Sequence, residues 1–267
     1  MRPMRAPFLL LLLCMISLNI SAREGENGFG VAVGAAASFP HGVKLEAGVR
    51  LTSHLYTRAG VSFLPGINAY DDEVSNIEIG QYKSILGYNP TAQVKAVASS
   101  KAGHLLMDYH PFRDPFRITA GIYLGRPVAT ADILLLNPQG KSIMQDQTML
   151  DPNDMPKVTI TNSSIPNQTV TLQPSPDATL QASLHLGRRV QPYVGLGSGY
   201  SVPRLPVSFS IDFGVIFNGK MQISSPNITN GNADFLLDYS GSKAISDLVY
   251  YTQILPVLNI GVNVRIN

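Results

Sequence analysis

Residues 42–64 alternate between apolar side chains and polar or small ones. Val43, Leu45, Ala47, Val49 and Leu51 share one face, and Lys44, Glu46, Gly48 and Arg50 share the other. After Thr52-Ser53-His54 the alternation resumes, with Leu55, Thr57, Ala59, Val61 and Phe63 set against Tyr56, Arg58, Gly60 and Ser62. Successive side chains of a β-strand point to opposite faces. A period of two therefore predicts a tight hairpin with one apolar face and one charged, glycine-spotted face. A charged face of this kind lies outside a soluble protein or inside a membrane barrel, and the choice between them decides what the protein is.

The same period recurs along the chain. Phe29–Ala35, Phe116–Leu124, Leu180–Leu186, Pro192–Leu196, Val207–Phe217 and Leu258–Ile266 carry apolar residues at every second position. Between them stand mostly Gly, Ser, Thr and Asn, together with Arg117, Asp212 and Arg265. Many segments of about ten residues with this dyad pattern are the signature of an outer-membrane barrel. Residues 92–109 are less regular: Val94, Ala96 and Ala98 have one parity and Leu105, Met107 and Tyr109 the other. A bulge near Ser99–Ala102 reconciles them and leaves His104 and Asp108 on the polar face.

Connections divide into short and long. Thr52–His54, His110–Pro115, Gly187–Arg189 and Asn218-Gly219 read as tight turns, whereas 65–91, 127–178 and 225–250 read as long loops. Within the longest loop, Val158–Thr161 and Thr169–Leu172 alternate, which predicts a hairpin projecting beyond the membrane. Met221–Ser224 adds a short strand, and Ser242–Tyr251 suits a helical turn. The expected fold is all-β: an antiparallel transmembrane β-barrel of ten strands, with eight as the runner-up, short periplasmic turns and long extracellular loops. Both termini on the periplasmic side require an even number of strands.

Composition agrees with that placement. Charged residues make up 14% of the chain, against about 25% in an ordinary soluble domain, and no segment after the leader approaches the roughly 20 apolar residues of a spanning helix. Arg2 and Arg5 precede an apolar run from Phe8 to about Ile20 that ends at Ser21-Ala22. Residues 1–22 are thus expected to be a cleaved secretory signal peptide, leaving 23–267 as a single barrel domain bound for the cell outer membrane. Cys14, the single cysteine, leaves with the signal. Disulfides, a thiol nucleophile and a cysteine-based zinc site are excluded from the mature chain. Of 20 basic and 18 acidic residues, Arg2 and Arg5 are also lost, so the mature protein is formally neutral and lacks the basic runs expected of a nucleic-acid binder.

With the apolar faces toward lipid, Lys44, Glu46, Arg50, Arg58, Asp108, Arg117, Asp212 and Arg265 face the lumen. Small barrels have interiors that side chains can fill. A packed network of ion pairs is preferred to a solute path, because both signs are present and unpaired buried charge is costly. A narrow porin-like channel is the alternative, followed by a surface-facing barrel enzyme and a soluble lipocalin-like lipid carrier. GxSxG, HExxH and P-loop motifs are absent. His41, His54, His104, His110 and His185 lack ligand spacing. Asp108 and His110 share a strand face, yet no serine or threonine nucleophile stands beside them in sequence. No catalytic, cofactor-binding or metal-binding residue is assigned, and the external ligand is left unnamed.

Gly42–Phe63, Asp108-Tyr109-His110-Pro111-Phe112, Phe116–Tyr123, Pro192–Gly197, Ser208–Gly219 and Pro256–Arg265 together resemble a proteobacterial family of uncharacterised outer-membrane β-barrel proteins. The Asp-aromatic-His-Pro-Phe turn is the most specific of these blocks, and the long loops do not match closely. The resemblance implies a single-domain barrel with no established activity, whose partners are outer-membrane lipids and the barrel-insertion machinery. Two features depart from the pattern. The chain ends Val264-Arg265-Ile266-Asn267 where such barrels carry a terminal aromatic, and it has no tryptophan. Tyr109, Phe112, Phe116, Phe63, Phe217 and Tyr193 are therefore expected to supply the aromatic girdles.

Overall fold

The computed structural model describes residues 30–74, 82–112, 114–145, 150, 151, 154–161, 168–233, 237 and 253–266. The expected signal peptide and the helical turn at Ser242–Tyr251 lie outside them. In chain order the strands are β1 (Gly30–Phe39), β2 (Gly42–Arg50), β3 (Leu55–Val74), β4 (Thr91–Tyr109), β5 (Phe116–Leu136), β6 (Val158–Thr161) and β7 (Thr169–Leu172). They continue as β8 (Thr179–His185), β9 (Val190–Ser198), β10 (Val207–Phe217), β11 (Gln222–Ser224), β12 (Ile228–Gly231) and β13 (Ile254–Arg265). A five-residue helix, α1 (Tyr82–Leu86), lies between β3 and β4.

Ten strands form the main sheet in the order β11-β8-β5-β4-β3-β2-β1-β13-β10-β9. An additional pairing joins β9, at one end of that order, to β5, with β8 and β11 lying beyond the junction. The joined edge makes a closed antiparallel ring of eight: β1, β2, β3, β4, β5, β9, β10 and β13. Both expected counts therefore have a meaning, ten for the sheet and eight for the ring. A closed ring leaves no strand edge unpaired, which is the condition a sheet must meet inside a bilayer.

The difference between ten and eight lies at two glycines. Leu134–Val128 of β5 face Thr179–His185, and Leu124–Phe116 of the same strand face Val190–Ser198. β8 thus continues into β9 in one direction, and β10 continues into β11 along the same neighbour. Gly187–Arg189 and Asn218-Gly219, expected as tight turns, are kinks within continuous staves. Gly187 (φ 84°) and Gly219 (φ 74°) have left-handed backbone, which bends a strand as readily as it reverses one. The reversal between β9 and β10 is instead made by residues 199–206.

All short connections but one lie at the end that carries both Gly30 and Arg265. The reversals from β2 to β3, from β4 to β5 and from β9 to β10 are there, and β3, β5 and β11 run out at the opposite end, where Pro40-His41 links β1 directly to β2. β4 pairs with β5 without a break, so the bulge expected near Ser99–Ala102 is not on β4. It lies on the partner strand, where the register shifts between Leu64 and Ile67 and again between Asn68 and Tyr70.

The two faces of the wall differ as the alternation requires. Val43, Leu45, Val61, Leu105, Ile118, Val194, Leu196, Ile211, Phe213 and Ile260 are exposed on the outside, whereas Lys44, Arg58, Asp108 and Arg117 are at most 1% exposed. A soluble lipid carrier would have the reverse arrangement. Tyr109, Phe112 and Phe116 mark the short-turn end of the apolar belt, and Phe39, Phe63 and Phe217 mark the other. Tyr193, expected in a girdle, is buried inside the ring at 1% exposure. It shares the inward parity of Gln191, Gly195 and Gly197, so the girdle assignment is corrected.

β1, β2 and β9 have 10, 9 and 9 residues, the length needed to cross a bilayer, about 9–11 residues. β3, β4 and β5 have 20, 19 and 21 and project far beyond it, so parts of the expected loops 65–91 and 127–178 are strand. On this projection the inward face turns apolar. Ala92, Val94, Ile133 and Leu135 pack with Tyr82, Leu86, Ile143, Met155 and Val158 into a second core. The backbone keeps its parity, but the surroundings are exchanged, with a covering cap inside and water outside. That exchange explains the change of hydrophobic parity along β4 without any bulge there. The expected hairpin forms as β6 and β7, in unbroken register from Val158↔Leu172 to Thr161↔Thr169. β12 adds to it as a three-stranded sheet.

Tyr82 closes this cap. Its hydroxyl donates to the Pro156 carbonyl at 3.1 Å, and burial pushes its phenol from 10.0 up to about 12. A raised folded value means that the neutral phenol stabilises the cap fully below pH 10, and that this contribution is lost as pH rises toward 12. Protease nicking of the cap is expected to accelerate across that window, and Tyr82→Phe is expected to remove the pH-dependent part of the acceleration.

Candidate functional site

Inward side chains from β2, β3, β4, β5 and β10 meet at mid-height in the ring. Each is placed there by strand parity alone: Lys44 and Glu46 on β2, Arg58 on β3, Asp108 on β4, Arg117 on β5 and Asp212 on β10. Arg58 is the hub. Its Nη1 reaches Glu46 Oε1 at 3.2 Å and Asp212 Oδ2 at 3.1 Å. Its Nε lies 2.8 Å from Asp108 Oδ2, and Nη2 donates to Asp108 Oδ1 at 2.9 Å. One guanidinium therefore ties three carboxylates from three strands, using the planar fork that suits arginine to this task.

The remaining cations complete the balance. Arg117 donates to Asp212 Oδ1 from Nε at 3.0 Å and from Nη2 at 2.6 Å, and Lys44 Nζ lies 2.7 Å from Glu46 Oε2. Three cations thus face three carboxylates, which keeps the centre formally neutral and limits the cost of taking each charge out of water. A Cβ at Gly197 would collide with Asp212 Oδ1 and stand 3.0 Å from Arg117 Nε. The lack of a side chain there is what lets this pair lie against the wall.

Arg50 and Arg265 are set apart from this centre. Arg50 is buried near the short-turn end, close to the Gly30 backbone, and Arg265 is partly exposed at the rim, donating to the Arg204 carbonyl at 3.4 Å.

Below the ion pairs, the β9–β10 connection folds into the mouth of the ring. Val202 packs on Ala32 and Tyr56, and Tyr200 stacks on His110 with ring centroids 5.0 Å apart. Ser201 donates to Asp108 Oδ2, and Arg117 Nη1 donates to the Gly199 carbonyl. Asn263 Nδ2 holds the Tyr200 carbonyl at 3.2 Å. Above the ion pairs, Tyr123 packs edge-on against Tyr193 at 5.5 Å and stacks with His41 at 5.1 Å. Leu106, Ile216 and Val257 complete that layer. Tyr193 lies over Gly214, where a Cβ would stand 2.5 Å from its hydroxyl oxygen. Among the described residues the interior is therefore filled in three tiers: a folded turn, an ion-pair layer and an aromatic layer.

Sequence reasoning missed Ser201 and the turn that carries it, because nothing local marks a turn as folding inward. It also missed Thr119, whose hydroxyl donates to Asp108 Oδ1 at 2.7 Å, although parity with Arg117 could have found it. Asp108 and His110 do not form a relay. Asp108 is held by Arg58, Thr119 and Ser201, whereas His110 Nδ1 meets the Asp114 carbonyl at 2.9 Å.

No protein-family model matches the chain, and no curated protein sequence matches it. Solved structures similar in shape at low identity include the following three. CarO2 of Acinetobacter baumannii is 13% identical over 88% of this chain and 98% of its own, with a TM-score of 0.45. CarO of the same organism is 12% identical over 88% and 96%, with a TM-score of 0.44. A major outer membrane protein from Thermus thermophilus is 14% identical over 89% and 99%, with a TM-score of 0.38.

Proposed function

We propose that this chain is an integral outer-membrane β-barrel protein with a structural, side-chain-filled interior, delivered by a signal peptide of residues 1–22. The observation that carries the reading is Arg58, 1% exposed and bound to Glu46, Asp108 and Asp212 across the ring. A guanidinium satisfied by three carboxylates holds strands together and leaves no free charge to draw a solute. The exposed apolar belt with aromatic ends supports a lipid environment, since patches of that extent are not left facing water. In this orientation the short turns are periplasmic and the cap built on β3, β4 and β5 stands outside the cell. Outer-membrane lipids and the insertion machinery are the partners that follow from it. No reaction and no cofactor are assigned.

Planar-bilayer recording tests the interior. The purified barrel is expected to insert without stepwise conductance. Current through the wild type that shifts when Arg117→Gln is introduced would overturn the plugged reading in favour of a narrow solute channel. Release of the protein from cell envelopes by buffer alone, without detergent, would overturn the membrane reading itself.

A further inference from the structure

The outer wall is apolar up to one level and then becomes basic along one side. Leu124 on β5, Val190 on β9 and Phe217 on β10 are 48%, 54% and 43% exposed at the cap-side limit of the belt. Immediately beyond them stand Lys101, Arg126, Arg188, Arg189 and Lys220. Lys101 and Arg126 are directly opposite each other on β4 and β5, both on the outward parity, and Lys101 Nζ lies 5.8 Å from the centre of the Phe63 ring. The Gly125 amide donates to the Arg189 carbonyl at 2.8 Å, and the Arg189 charge acts against that of Arg126. The Arg188 side chain lies across Gly219, the residue before Lys220.

This cluster is anchored on one side and open on the other. Arg126 Nη1 donates to the Gly187 carbonyl at 2.9 Å and to Gln222 Oε1 at 2.8 Å, which fixes its guanidinium against the wall. Arg188, Arg189 and Lys220 are exposed. Among the described residues none of the five forms an ion pair with a carboxylate, whereas Lys95, higher on the same wall, pairs with Asp71 at 3.8 Å. Both kinks described above contribute: each inserts a basic residue beside a left-handed glycine at the same height. Five like charges gathered on one patch repel one another, and a multivalent anion at that height offsets the repulsion.

We propose that this patch binds the phosphate-bearing headgroup of a lipid in the outer leaflet, with the acyl chains lying on the apolar wall below. The inference rests on the outer-membrane reading of the barrel. Charge complementarity and direct continuity with the lipid-facing belt select a lipid as the occupant. Arginine supplies the forked donors that phosphate oxygens accept, and each basic residue near an anionic lipid surface strengthens binding about fivefold.

Native mass spectrometry of the full barrel in nonionic detergent tests this, with lipid A carrying two phosphates as the probe and the same lipid without phosphates as its control. The wild type is expected to retain the phosphorylated lipid. Arg188→Gln/Arg189→Gln/Lys220→Gln, confined to exposed side chains, is expected to bind it about 100-fold more weakly. Lys95→Gln, elsewhere on the wall, is expected to leave binding unchanged. Equal retention of both lipids, or of the phosphorylated lipid by the triple variant, would overturn the headgroup site while leaving the barrel reading intact. Complete displacement by millimolar inorganic phosphate would replace the lipid with a free anion and so overturn the assignment. A protein that is soluble without detergent and retains neither lipid would overturn both readings together.

Discussion

Arg58→Leu is expected to destabilise the folded barrel by about 3–5 kcal/mol, the loss that follows when one partner of a buried charge network is removed. The reason is what it leaves behind. Glu46, Asp108 and Asp212 are 9%, 0% and 2% exposed, and each directs at least one oxygen at Arg58. Without the guanidinium, Asp108 keeps Ser201 and Thr119 as hydroxyl donors, and Asp212 keeps Arg117. Three buried carboxylates would then face only two cations, Lys44 and Arg117. Urea titration of the protein folded into phospholipid vesicles, followed by circular dichroism, measures the loss. Arg58→Lys keeps the charge but cannot span three acceptors in fixed geometry, so an intermediate loss is expected and gives a readout if the leucine variant does not fold. Arg58→Leu/Asp108→Asn is expected to recover part of the stability, because the most buried of the three carboxylates, left with Arg117 only at 3.8 Å, no longer carries a charge. A loss below about 1 kcal/mol for Arg58→Leu, the range of solvent-exposed ion pairs, would mean that water reaches the three carboxylates in place of the arginine.

Ile211→Arg is expected to cost about 2–4 kcal/mol when the barrel is held in a bilayer, the penalty for a basic residue on the lipid face near mid-membrane. Ile211 is in the middle of β10, between β9 and β13, and is 48% exposed. Tyr70→Arg provides the comparison. Tyr70 is similarly exposed at 46%, but it lies on the projecting part of β3 next to Asp71, Asp72 and Glu73. That change is expected to stay within about 0.5 kcal/mol, as for ordinary surface substitutions. Equal exposure with unequal cost is the result that separates a lipid face from a wet one. Equal costs for both variants in vesicle-based urea titrations would remove the lipid from the explanation.

The interior charges were legible because period-two alternation is a property of the backbone itself. Lys44, Glu46, Arg58, Asp108, Arg117 and Asp212 all follow from reading parity along single strands, without knowing which strands are neighbours. Tyr193 was legible by the same rule, since it alternates with Pro192 and Val194, and its placement in a girdle set that rule aside for its residue type. Along β4 the rule gave the wrong feature. A change in hydrophobic parity there implies no change in backbone parity: the wall keeps its register, and the surroundings of its two faces change instead. Hydrophobicity reports the surroundings of a face, and these invert where a covered cap replaces a charged lumen and water replaces acyl chains.

From the sequence alone came an all-β chain, the side of each strand that carries charge, the turns at 52–54 and 110–115 and the β6–β7 hairpin. All of these depend on residues within a few positions of one another. The tertiary structure decided the rest. Gly187 and Gly219 have the same left-handed backbone whether the next strand turns back or runs on, so only pairing with β5 and β9 distinguishes eight staves from ten strands. The folding of residues 199–206 into the ring mouth depends on Asp108, His110 and Arg117, about 80 or more positions away. Glu46, Asp108 and Asp212 converge on Arg58 from 12, 50 and 154 positions away. Closing a ring brings distant positions to one point, and local alternation carries no information about which ones will meet.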